Sequence, residues 1–173
     1  MIFGKTDSFA IEVGELESYL NFSGIYVQFR FWIGKVPVGD WNDRISLQAS
    51  IENACTILET EAMRQLSPFA QNHASDVFQA VYDAFYSYDY TKAPVVIPNL
   101  RDQFHLDEIG MGAIQDKYGL ILVATSNSLE RVIAKDLRQE LLIADVSVPV
   151  GFVESVLREF IEWGRTLLRA ARG

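Results

Sequence analysis

Hydrophobic and polar residues change rhythm several times along this chain, and each change predicts a different element. Ile25, Val27, Phe29, Phe31 and Ile33 alternate with Tyr26, Gln28, Arg30 and Trp32. A period of two, filled with β-branched and aromatic residues, predicts a half-buried strand. Gly34-Lys35 then reads as a two-residue turn and residues 36–38 as the returning strand, with Pro37 suited only to an edge. Residues 9–15 alternate more loosely and predict a strand that leads, through a polar loop at 21–24, into this hairpin.

After the hairpin the period lengthens. Ser46 can cap a helix whose apolar stripe is Leu47, Ile51, Ala54, Leu58 and Ala62, with Pro68 helping to end it. Ser75-Asp76 opens a second helix to about Ser87, with Val77, Val81 and Phe85 inward. Residues 86–94 read as a loop, and the apolar run 94–98 between two prolines as extended chain. The last third returns to strands. Residues 104–109, 118–125, 129–135 and 140–148 are four candidates joined by short turns, Ser126-Asn127-Ser128 being the clearest. Turns that short require antiparallel neighbours. Residues 119–124 are apolar on both faces, which predicts the central strand. Pro149 is then expected to open a C-terminal helix with Val153, Val156, Leu157, Phe160, Ile161, Leu167 and Leu168 on one wide face. The fold class expected is α+β: an antiparallel β-sheet, made of an N-terminal hairpin and a C-terminal meander, packed against three helices. Residues 1–173 are expected to form one domain, since no linker, repeat or low-complexity tract divides them.

Composition narrows the function. A hydrophobic fraction of 49% with 12% aromatics fits a folded globule. Lys5 and Asp7 interrupt the terminus before any apolar stretch of signal-peptide length, and no apolar run approaches the ~20 residues of a membrane helix. The single Cys55 excludes an internal disulfide and reads as a small core residue, so a reducing cytoplasm is expected, with no membrane contact. The net charge is −8, and residues 1–100 carry 12 acidic against 6 basic side chains. That balance disfavours direct nucleic-acid binding, which needs clustered Lys and Arg, and suits a basic protein partner. Solubility alone would also account for it.

Catalytic chemistry finds little to work with. His73 lies in a polar Asn-His-Ala-Ser phrase and reads as a surface residue. His105 and Asp107 would share one face of a strand and could bind a metal or share a proton, but two ligands make no closed site. There is no nucleophile elbow, phosphate loop or dinucleotide fingerprint; Gly110-Met-Gly112 reads as a turn, and Glu12, Glu15 and Glu17 as a solvated face. No enzyme and no cofactor are expected.

Binding is better served. Tyr82, Tyr86, Tyr88 and Tyr90 are interleaved with Asp83 and Asp89. A dry core cannot easily satisfy four phenols and two carboxylates so close together. Exposed tyrosines beside acids are good anchors for a basic partner, although a core helix followed by an aromatic-lined loop is the plainer reading. Trp41 and Asp43, just past the hairpin, form a second candidate patch.

One further feature is a set of phrases: Met1-Ile-Phe-Gly4, Phe9-Ala10-Ile11, Phe31-Trp32-Ile33 and Gly39-Asp40. Over roughly the first quarter of the chain they resemble the opening of the immunity protein 42 family, bacterial antidotes to polymorphic and contact-dependent growth inhibition toxins. The resemblance implies a cytosolic protein that binds a cognate toxin C-terminal domain in a heterodimer and blocks its active site or substrate groove. The acidic balance adds a basic nuclease, possibly tRNA-directed, as the toxin class. Two alternatives stay open. One is a small-ligand or regulatory binding domain without catalysis, its pocket formed by the meander; the other is a hydrolase using His105 and Asp107.

Overall fold

The computed structural model describes residues 1–18, 24–60, 64, 72–86 and 104–171. Five strands form the first antiparallel sheet: β1 (Ile2–Gly4), β2 (Phe9–Ser18), β3 (Ile25–Ile33), β4 (Val36–Val38) and β5 (Arg44–Ser46). They run in the order β1-β2-β3-β4, with β5 paired to β3 as well. The alternation in β3 does what its period demands, burying Val27, Phe29, Phe31 and Ile33 on one face. Gly34 and Lys35 both take positive φ, 55° and 73°, the left-handed pair that suits the twist of a two-residue hairpin. Pro37 lies on the edge strand β4, where its missing N–H costs no ladder bond.

Ser46 caps α1 (Leu47–Glu59), its side chain accepting from the Ala49 N–H. The buried stripe is Leu47, Ser50, Ile51, Ala54 and Ile57, with Leu58 only partly buried. Ala62 and Pro68 lie outside the described residues. Helix α2 (Ala74–Tyr86) follows and buries Val77, Phe78 and Val81; the side chain of Phe85 and the segments 87–94 and 94–98 are likewise outside the described residues.

Residues 104–109 depart from the strand expected for them. Only the start is extended, His105 bridging Ile121, with the Leu106 N–H donating to Leu120 O and the Leu122 N–H to Phe104 O. Helix α3 (Asp107–Gln115) then begins. Asp107 and Glu108 occupy its first turn, where the helix dipole favours acids, and the apolar spacing changes from two (Phe104, Leu106) to three (Leu106, Ile109). Gly110-Met-Gly112, expected as a turn, is a kink within this helix centred on Met111 (φ 49°, ψ −157°). A Cβ at Gly110 would stand 2.4 Å from Ile114 Cδ1 and 2.7 Å from its Cβ, so the bare glycine is what lets the Ile114 side chain pack there.

The second antiparallel sheet contains β6 (Tyr118–Ala124), β7 (Leu129–Asp136) and β8 (Leu141–Pro149), in the order β6-β7-β8. β6 is covered on both faces as its composition requires, yet β7 and not β6 is central. Leu120, Leu122, Val132, Ala134 and Val148 face the main core, while Ile121, Val123 and Ile133 meet α2 on the opposite face. Pro149 ends β8 rather than opening a helix; Gly151, at φ 83°, turns the chain into α4 (Phe152–Ala170). The result is the α+β class, with four helices among the described residues, α3 being the one added to the three expected. None of them is long and apolar enough to cross a membrane.

Helix α4 fills the main core with Val153, Val156, Leu157, Phe160 and Ile161. The Phe160 ring sits edge-on to Phe3 and Phe29, 5.9 Å from each. Buried beside this apolar face is an ion pair, Arg64 to Glu154, with both side chains fully shielded from solvent. Arg64 also donates from Nη1 to Ile57 O at 2.7 Å, and its own carbonyl accepts from the Ala124 N–H at 2.9 Å. One residue thus joins the end of α1, the end of β6 and the first turn of α4. Removing one partner of such a pair strands a buried charge, so Glu154→Ala should lower the unfolding free energy by about 3–5 kcal/mol in urea titrations. Arg64→Met with Glu154→Leu should cost distinctly less. A Glu154→Ala loss below about 1 kcal/mol would show that the pair is not structural.

Candidate functional site

The outward face of the first sheet carries the polar half of the β3 alternation. The register sets Glu12 opposite Arg30 and Trp32 opposite Pro37. Arg30 Nε and Trp32 Nε1 both donate to Glu12 Oε2 at 2.7 Å. The Arg30 guanidinium lies 4.8 Å from the Trp32 ring centroid and 4.4 Å from that of Trp41, so the cation lies over two indoles. Trp41 reaches this position because Gly14 has no side chain: a Cβ there would stand 2.6 Å from Trp41 Cζ2.

Trp41 is therefore half-buried and held, rather than free on the surface. Its turn is fixed locally, Asp40 accepting from the Asn42 N–H through Oδ1 and from the Asp43 N–H through its carbonyl, each at 3.0 Å. Asp43 receives Lys117 Nζ at 2.7 Å, and that hydrogen bond holds the lysine above its ordinary pKa. The patch is preorganised, with a cation, two indoles and two turn carboxylates fixed in place before any partner arrives.

The tyrosine and aspartate stretch is placed less completely. Tyr82 is half-buried on α2, stacked on Phe78 with centroids 5.4 Å apart and lying 6.5 Å from His105. Asp83 and Tyr86 fall in the last turns of the same helix, but their side chains are outside the described residues, as are Tyr88, Asp89 and Tyr90 altogether. Among the described residues only Tyr82 of this stretch has a placed side chain, and it packs on Phe78 and near His105.

His105 and Asp107 do meet, Nδ1 standing 3.5 Å from Oδ1, though across the bridge-to-helix junction and not on one strand face. Both side chains are buried, and Asp107 Oδ1 accepts from the Leu120 N–H at 3.0 Å, which ties α3 to β6. The pair is thus a buried joint. Among the described residues no three His, Cys, Asp or Glu side chains gather as a metal would require. His73 is exposed, with its carbonyl accepting from Asp76 and Val77 at the start of α2.

Two features have no signature in local sequence pattern. One is the indole–guanidinium stack, visible beforehand only as the polar phase of an alternation. The other is an open groove of about 860 Å³ between α1 and α4, floored by Ile51, Cys55, Leu58 and Ile161. Cys55 lies there half-buried, with Arg165 Nη2 donating to its sulfur at 3.2 Å.

Burial would raise the Glu12 pKa, but the hydrogen bonds from Arg30 and Trp32 and the charges of Arg30 and the N-terminus outweigh it and hold the carboxyl below its usual 4.5. A folded-state pKa below the unfolded value means that ionised Glu12 stabilises the fold above pH 4.5, a contribution lost as pH falls through the folded value. Urea midpoints followed from about pH 6 to about pH 3 should fall less steeply for Glu12→Gln than for the parent. Parallel slopes would contradict this.

Comparison with known proteins supplies what side-chain geometry does not. The family model described as immunity protein 42 matches residues 1–163, far beyond the opening phrases. No curated protein matches. Among solved structures, CdiI from Burkholderia dolosa AUO158 superposes with a TM-score of 0.71 at 15% sequence identity, covering 94% of this chain and 99% of that one. At that identity the likeness is one of fold. The family match, running through nearly the whole chain, carries the assignment: this chain belongs to the immunity protein 42 family.

Proposed function

We propose that this chain is the antidote of a toxin–immunity pair. It stays in the cytoplasm of the cell that makes it and binds the C-terminal domain of a toxin delivered by a neighbouring cell. It blocks the toxin's active site or substrate groove in a heterodimer, acting as a single domain over residues 1–173 without turnover or cofactor. The observation that carries the reading is the family match over residues 1–163. The fold shared with CdiI fits delivery by contact-dependent inhibition. The net charge of −8 favours a basic toxin, hence a nuclease, with transfer RNA as a candidate substrate.

Co-expression with the toxin domain encoded beside it tests the reading. The two should co-purify, and cells carrying this chain should survive competition with toxin-bearing neighbours. If the toxin is neither recovered nor neutralised, the reading fails.

For the contact surface we propose the stretch Tyr82, Asp83, Tyr86, Tyr88, Asp89 and Tyr90, with Trp41 and Asp43 as the second patch. Aromatic anchors in fixed positions lose little entropy on binding, and the clamped Trp41 meets that condition. Cutting a central anchor to alanine should cost about 2 kcal/mol, about thirtyfold in affinity, without unfolding the protein. Titration calorimetry on Trp41→Ala and on each tyrosine variant checks this. Parental affinity in all of them would move the surface elsewhere.

Charge steering has a separate signature. The on-rate for toxin should fall between low and physiological ionic strength while the off-rate changes less. Stopped-flow mixing measures both, and a flat on-rate would confine the charge to solubility.

A further inference from the structure

We propose that β8 is a docking edge to which the toxin adds an extended strand, main chain to main chain. The inference rests on the antidote reading and adds a main-chain element to the side-chain contact surface proposed above. β8 is the last strand in the order β6-β7-β8, bonded to β7 from Leu129↔Pro149 to Asp136↔Leu141. Along its other side no described residue offers it a main-chain partner. An edge of that length presents a row of unmade N–H and C=O bonds, which proteins normally blunt with charge, proline or a covering element.

Here the blunting is slight. No lysine or arginine occurs from position 141 to 149, and Pro149 stands only at the end. The one charge, Asp145, is occupied on the sheet face by both Arg131 Nε and Nη2, at 2.8 and 2.7 Å. The register skips Ile143, leaving a bulge there and an unbroken ladder from Ala144 to Pro149. Beyond the bulge, Leu141 and Leu142 stand out at 55% and 37% exposure. Of the eight large apolar side chains exposed among the described residues, Leu129, Leu141, Leu142 and Val150 lie within or beside this strand. Leu129 and Val150 lie at one end of the strand and Leu141 and Leu142 at the other, so exposed apolar side chains bracket an edge that is unpaired among the described residues; in strand addition hydrogen bonds supply affinity and side chains select the partner.

The occupant is a toxin strand rather than a second copy because of charge. Two copies meeting at this edge would bring together chains that each carry −8. A strand from a basic toxin meets no such penalty.

The test uses the full chain and the catalytically inactivated toxin domain encoded beside it. Amide hydrogen exchange should slow across residues 144–149 in the complex, and Leu141→Lys with Leu142→Lys should weaken toxin binding about tenfold while leaving the fold intact, both sites being exposed. A tight complex with unchanged exchange along β8 overturns the inference and leaves the antidote reading standing. Failure of the unmodified chain to bind the toxin overturns both. A free protein that sediments as a dimer with β8 already protected assigns the edge to a second copy and overturns it too.

Discussion

Neither sheet can bury its apolar face alone, and this constraint shapes everything else. Among the described residues the two sheets share no ladder, and what holds them together is a common filling: the apolar side of α4, with Phe160 at its centre, and the stripe of α1. The two helices close up where Gly164 meets Ile51, a contact that a Cβ at Gly164 would crowd to 2.6 Å. Apolar packing is indifferent to direction, and the Arg64–Glu154 pair is what fixes position within it. A guanidinium that must be met on several sides in a dry interior tolerates one arrangement of α1, β6 and α4, so the pair specifies geometry even where it adds little net stability.

Much of this was legible in the chain. The hairpin, the Ser46 cap, α2 and the meander strands follow from local period and turn chemistry, which act over a few residues. β1 was not expected, because three residues show no period. Residues 104–109 misled because Phe104 and Leu106 do alternate while they bridge β6, and the helical spacing begins only one residue later. The two apolar faces of β6 predict a central strand. In the structure α2 and the main core cover those faces, and the short bridge at His105 extends its edge, so coverage did not imply a central position.

The candidate site was legible in part. Trp41 and Asp43 stood out as residue types, but the clamp on Trp41 depends on Arg30 arriving from β3 and on an empty position at Gly14, neither of which spacing reveals. The Arg64–Glu154 pair is hidden in the same way, its members lying 90 positions apart with no local pattern to announce them. His105 and Asp107 illustrate the reverse. Their proximity was anticipated, and the Leu120 N–H bonded to Asp107 turns a catalytic-looking pair into a joint between α3 and β6.

Recognition through a strand edge would have a consequence for partner choice. Backbone groups are the same in every sequence, so the attraction they provide is generic and survives drift in the side chains around them. Discrimination between one toxin and its cousins would then fall to the few residues that flank the edge, Leu141, Leu142 and Asp145 among them. Such an interface separates the capacity to bind from the choice of what is bound. A lineage could change allegiance by altering a handful of surface positions, while the core that gives CdiI and this chain one fold at 15% identity stays out of the exchange.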